Sequence, residues 1–154
     1  MNPIVIQTEN LPLVCSDWLS QRCDLHICPA DSLRCKELLP SAEALVIRTY
    51  TTVDSALLDC APNLKVVGRA GVGVDNINLD ACKKRGVTVV HTPDANTESV
   101  VEFVLTTMLA NKRNLHTVST GLHQTEWNAL RDASLTPKEF SETTLGIIGF
   151  GRIG

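Results

Sequence analysis

Five short apolar runs punctuate the sequence: Ile4 to Gln7, Leu25 to Cys28, Ala44 to Arg48, Lys65 to Arg69 and Thr88 to His91. Each is rich in Val, Ile or Leu and bounded by Pro, Gly, Asn or Asp, the pattern of buried strands rather than half-wetted ones. The stretches between them are too long for hairpins and suit right-handed crossovers through helices. Two of those helices announce their starts: Asp54 stands before Ser55-Ala56-Leu57-Leu58, and Asn78 before Leu79-Asp80-Ala81-Cys82, each offering a side-chain oxygen to free backbone N–H groups. This alternation predicts an α/β fold with a flavodoxin-like parallel sheet.

After Pro93 the periodicity changes. Val100, Val101, Phe103, Val104, Leu105, Met108 and Leu109 recur at helical spacing, with Ser99 and Glu102 spaced as a capping box. A helix of about twenty residues is ~30 Å long and could run along a domain interface. Gly121 to Thr144, with Trp127 and Pro137, reads as a shorter helix and an irregular linker. The expected organisation is a domain over 1–98, an interdomain helix and linker over 99–143, and from 144 to 154 the first strand of a Rossmann domain, cut short.

Composition narrows the function classes. A chain of 154 residues, 44% hydrophobic and 20% charged, is that of a globular protein, and no apolar run approaches the ~18 residues of a membrane span. A net charge of −3 argues against a nucleic-acid partner, which would need clustered Lys and Arg. The run Lys83-Lys84-Arg85 has a local explanation, since it closes a short helix stopped by Gly86, where cations favour the dipole. Cys15, Cys23, Cys28, Cys35, Cys60 and Cys82 lack the close pairing of zinc ligands and read as reduced thiols. The four histidines form no ligand pattern, so no metal is expected. The opening Met1-Asn2-Pro3-Ile4-Val5-Ile6 has no signal-peptide character, which makes a cytoplasmic location the expectation.

Two glycine-rich segments carry the chemistry. Gly68-Arg69-Ala70-Gly71-Val72-Gly73-Val74-Asp75-Asn76 follows a strand directly, and glycines around Val72 free successive amides to converge on an anion. A tight strand-to-helix turn without a ligand is the plainer alternative. Arg48, followed by Thr49, ends the apolar run Ala44-Leu45-Val46-Ile47, where a guanidinium could grip a carboxylate or phosphate or make a surface ion pair. The second segment, Leu145-Gly146-Ile147-Ile148-Gly149-Phe150-Gly151-Arg152-Ile153-Gly154, is an apolar run entering G-F-G-R-I-G. That spacing serves a tight turn, close approach to a pyrophosphate, and close helix packing.

Taken together, Leu45 to Thr49, Val66 to Asn76, Thr92-Pro93 with Asn96-Thr97 and Glu102, and Leu145 to Gly154 resemble the D-isomer-specific 2-hydroxyacid dehydrogenases, nearest in wording the phosphoglycerate dehydrogenase branch. The resemblance is strong from Ala44 to Gly154 and rests on fold pattern alone before that. It implies a two-domain oxidoreductase, with a place in serine biosynthesis, in which hydride passes to NAD from a 2-hydroxy acid held in the interdomain cleft. By resemblance, Arg48, Thr49, Arg69, Gly71, Val72, Gly73 and Val74 fall near the substrate's acid group. Val72 also falls where the family contacts NAD, and Gly149, Gly151, Arg152, Ile153 and Gly154 where backbone meets the pyrophosphate. The family's catalytic His, its Glu partner and its substrate-orienting Arg match positions beyond residue 154, so no catalytic residue is assigned here and a chain of this extent is expected to be inactive alone. The full-length form is expected to be a homodimer or higher homo-oligomer acting on a small 2-hydroxy or 2-keto acid.

Two other classes compete. A non-catalytic NAD-sensing or regulatory module would be a stable short product, yet Leu145 to Phe150 would leave it an apolar strand with no sheet to join, an aggregation hazard. A phosphoacceptor receiver domain needs a carboxylate at the end of its third strand, where this chain has Arg48.

Overall fold

The computed structural model describes residues 2–113, 117–135 and 138–154, which fall into two compact units, one running to Ala95 and the other from Asn96 to Gly154. The expected linker residue Pro137 lies outside the described residues.

The first unit is a five-stranded sheet: β1 (Ile4–Gln7), β2 (Asp24–Ile27), β3 (Ala44–Ile47), β4 (Val66–Arg69) and β5 (Thr88–His91), in the order β2-β1-β3-β4-β5, all parallel. This is the flavodoxin-like order expected from the sequence. Between the strands run α1 (Leu13–Ser20), α2 (Leu33–Leu38), α3 (Ser55–Cys60) and α4 (Leu79–Lys84). The expected caps form: Asp54 accepts from the Leu57 N–H and Asn78 from the Ala81 N–H, both at 2.9 Å. Gly86, at φ 71, takes the left-handed turn that ends α4, a conformation costly for any residue with a Cβ.

The core lies where strands and helices meet. Ile6, Leu45, Ile47, Val53, Leu58 and Val67 are fully buried and contiguous with Cys28, Cys35 and Cys82. Four of the six free thiols therefore serve as small apolar fillers, and burial pushes the Cys35 thiol up to about 11, away from the thiolate form. Cys15 and Cys60 are exposed.

In the second unit α5 (Thr97–Arg113) and α6 (Gln124–Ala133) are helical. The long helix has 17 residues, about 25 Å, and begins two residues before the expected cap. Ser99 sits inside its first turn instead of ahead of it. The apolar run from Leu145 to Phe150 forms no strand among the described residues, which corrects the sequence expectation. A strand exists through its ladder of inter-strand bonds, so an apolar sequence without a paired neighbour stays irregular whatever its propensity. No described helix is long and apolar enough to cross a membrane.

Candidate functional site

In the order β2-β1-β3-β4-β5 the chain reverses its direction of winding between β1 and β3, and loops leaving the carboxyl ends of strands flanking such a point form a crevice. The residues following β1, β3 and β4 meet along this edge.

Arg48 and Thr49 leave β3 exposed, while Arg69 ends β4 half-buried. The Arg69 Nε donates to the Arg48 carbonyl at 3.2 Å, so the backbone of one arginine orients the side chain of the other. The Asn76 Nδ2 donates to the same carbonyl at 3.1 Å and to the Thr51 carbonyl at 2.7 Å, pinning the β3 loop from the far end of the glycine segment. Within that segment the Gly71 N–H bonds the Arg69 carbonyl at 2.9 Å, and the Thr92 N–H bonds the Gly71 carbonyl at 3.0 Å. A Cβ on Gly71 would lie 2.1 Å from Arg69 Nη1 and one on Gly73 2.8 Å from an Asp75 carboxylate oxygen, so both glycines let charged side chains fold over the backbone. Val72 is exposed at the tip and Val74 is half-buried against the core. The residues Arg48, Thr49, Arg69 and Gly71 to Val74 thus share one edge.

Sequence reasoning missed Glu9, which follows β1. Its carboxylate accepts four consecutive backbone N–H groups: Oε1 from Arg48 at 2.9 Å and Thr51 at 3.1 Å, Oε2 from Thr49 at 2.9 Å, and both oxygens from Tyr50 at 3.2 Å. Partial burial pushes the Glu9 carboxyl up, but the bonds from Arg48, Thr49, Tyr50 and Thr51 together outweigh it and hold the group at about 2. Beside it the Arg48 guanidinium donates to the Asn10 carbonyl at 3.3 Å, along a cleft of about 460 Å³ lined by Asn10, Cys28, Pro29 and Tyr50. Glu9 stands two positions past the first strand, and no local motif marks it.

The depressed Glu9 value makes stability pH-dependent. The unfolded chain takes up this proton near 4.5 and the folded one near 2, so the contribution is complete above about 4.5 and is lost as pH falls through the interval. Allowing for solvent screening at a partly exposed group, the loss is on the order of 1 to 2 kcal/mol. Urea melts at pH 6 and pH 3 should show it, and Glu9→Gln should flatten the difference; an equal pH dependence in that variant would reject Glu9 as its source.

His91 belongs to the scaffold of the glycine segment: its Nδ1 lies 2.8 Å from the Val72 carbonyl. Among the described residues no group of three His, Cys, Asp or Glu could hold a metal ion. In the second unit Gly149 takes φ 97, and a Cβ on Gly154 would meet the Gly149 carbonyl oxygen at 2.4 Å. The segment Gly149-Phe150-Gly151-Arg152-Ile153-Gly154 is therefore a turn closed tightly on its own backbone, which glycines at its ends permit.

Comparison with known proteins gives the family. The chain is 41% identical over 116 residues to D-3-phosphoglycerate dehydrogenase of Mycobacterium bovis, covering 75% of this chain and 21% of that protein. It is 42% identical over 118 residues to D-3-phosphoglycerate dehydrogenase of Methanocaldococcus jannaschii, covering 77% and 22%. The chain thus spans about a fifth of the length of these relatives. The solved structure of D-lactate dehydrogenase from Aquifex aeolicus, complexed with NAD and lactic acid, superposes with a TM-score of 0.72 at 26% identity, over 98% of this chain and 45% of that one. Residues 5–136 match the model of the D-isomer specific 2-hydroxyacid dehydrogenase catalytic domain, and the chain belongs to that family.

Proposed function

We infer that this chain supplies the substrate-binding part of a cytoplasmic NAD-dependent oxidoreductase that acts on the CH–OH group of a D-2-hydroxy acid resembling 3-phosphoglycerate. The observation that carries the reading is the pair Arg48, just past the end of β3, and Arg69, at the end of the adjacent parallel β4, tied through one carbonyl, with the glycine segment beside them. Two guanidinium groups and the amides of Gly71 to Val74 suit a small dianionic acid, because charge-assisted bonds to carboxylate or phosphate are about twice as strong as neutral ones.

The turn at Gly149 to Gly154 suits a dinucleotide, since its glycines leave room for the close approach of a pyrophosphate. The backbones of Gly149, Gly151, Arg152, Ile153 and Gly154 would hold that group. When bound, NAD supplies the hydride acceptor. This chain's contribution is to hold the acid group of the substrate and fix its orientation. Proton removal from the hydroxyl needs a base within hydrogen-bond reach, and none of His26, His91, His116 and His123 falls on the family's catalytic-histidine motif. The 154 residues by themselves are therefore expected to bind without turnover, and the whole enzyme to act as a homo-oligomer.

The test is a titration of D-3-phosphoglycerate into the ¹⁵N-labelled chain, followed by assays with NADH and phosphohydroxypyruvate. Saturable shifts at residues 48–49 and 69–74, with a Kd on the order of 1 mM and no NADH oxidation, are expected. Absent shifts at those residues would reject the substrate assignment. Saturable NADH binding that leaves them untouched would favour a sensing module.

A further inference from the structure

Four successive N–H groups turned to one point make an anion-binding concavity. Here the occupant is tethered. The segment carrying Glu9 is held on its own side by buried bonds: the Thr8 and Thr51 hydroxyls meet at 2.6 Å, the Thr8 N–H reaches the Val46 carbonyl at 3.0 Å, and Ser16 Oγ donates to Gln7 Oε1 at 3.0 Å. From the opposite side Asn76 grips the Arg48 and Thr51 carbonyls. The loop from Arg48 to Thr51 is thus clamped at its amides by Glu9 and at its carbonyls by Asn76. Asn10, next to Glu9, takes the Arg48 guanidinium, and the Arg48 carbonyl takes Arg69 Nε. Displacement of Glu9 would disturb both arginines.

We propose that Glu9 is a positioning residue for the substrate: its carboxylate fills the amide nest after β3, fixing Arg48 and Thr49 for the substrate's acid group and denying that acid a competing seat on the nest. The inference rests on the reading of this edge as the substrate-binding site. It adds a residue that touches no substrate atom and acts through the loop. A free nest would compete with the arginines for the same anion, because backbone amides do not distinguish one carboxylate from another. A built-in carboxylate removes the competition without ordering a separate ion, since the chain already fixes its position.

Glu9→Ala in the full 154-residue chain tests this by chemical rescue. In chloride, the amide resonances of residues 48–51 should move and the affinity for D-3-phosphoglycerate fall about tenfold. Sodium acetate at equal ionic strength should return the resonances and recover the affinity, since acetate restores the missing carboxylate. Unchanged resonances and affinity in the variant would overturn the proposal, as would a loss that acetate does not reverse. Should the alanine variant fail to fold, Glu9→Gln carries the test: it keeps the volume but sets an amide donor against the nest, so residues 48–51 should shift while β5 does not, and wild-type spectra and affinity would overturn the idea. If the unaltered chain binds no D-3-phosphoglycerate, the substrate reading fails. Acetate rescue of the resonances still decides whether Glu9 organises the loop.

Discussion

Ile6→Ala is expected to remove about 3 kcal/mol of unfolding free energy, within the ~2 to 5 kcal/mol range of buried large-to-small substitutions. Ile6 has no exposed surface and lies in β1, paired to β2 on one side and β3 on the other. Its loss opens a cavity between elements that cannot collapse without breaking a ladder on both sides. A domain of this size is stable by only ~5 to 15 kcal/mol, so the urea midpoint should fall steeply while the slope of the transition stays the same. Leu13→Ala, at a helical residue 81% exposed, should change stability by less than ~0.5 kcal/mol. Equal midpoints for the two variants would show that β1 is not the centre of the core.

Gly71→Ala should spare the fold and impair the site. Its new Cβ would meet Arg69 Nη1 at 2.1 Å and Cζ at 2.8 Å, and because both belong to the end of a flexible side chain, the guanidinium swings away and the backbone stays. The bond from Arg69 Nε to the Arg48 carbonyl is lost with it. A charge-assisted contact is worth about 1.5 to 3 kcal/mol, so affinity for D-3-phosphoglycerate should drop roughly 10- to 100-fold. Arg69→Ala should give a similar loss, and the double variant little more than either, since both remove one interaction. Wild-type affinity in Gly71→Ala would separate Arg69 from the substrate.

How legible the site was depended on sequence distance. The strand runs gave β1 to β5 within a residue at each end, because burial on both faces demands continuous apolar stretches and turn residues must interrupt them. Asp54 and Asn78 were recognisable since a cap acts on amides three residues away. Helix α1 offered no such signal: it starts after Pro12 without a side-chain cap. The run from Leu145 to Phe150 was overread, as apolar character alone does not supply a neighbour to pair with.

The glycine segment and its arginines could be picked out because they lie on short contiguous motifs, where one turn sets what the backbone must do. Glu9 could not: its partners stand 39 to 42 residues away, and only the placement of β1 beside β3 brings a lone carboxylate to four converging amides. Local chemistry and hydrophobic period thus determined the layers of this protein and the loops that carry its charge. The tertiary structure decided which charge fills which cradle, because the pairing of β1 beside β3, formed between residues far apart in sequence, sets which loop ends meet.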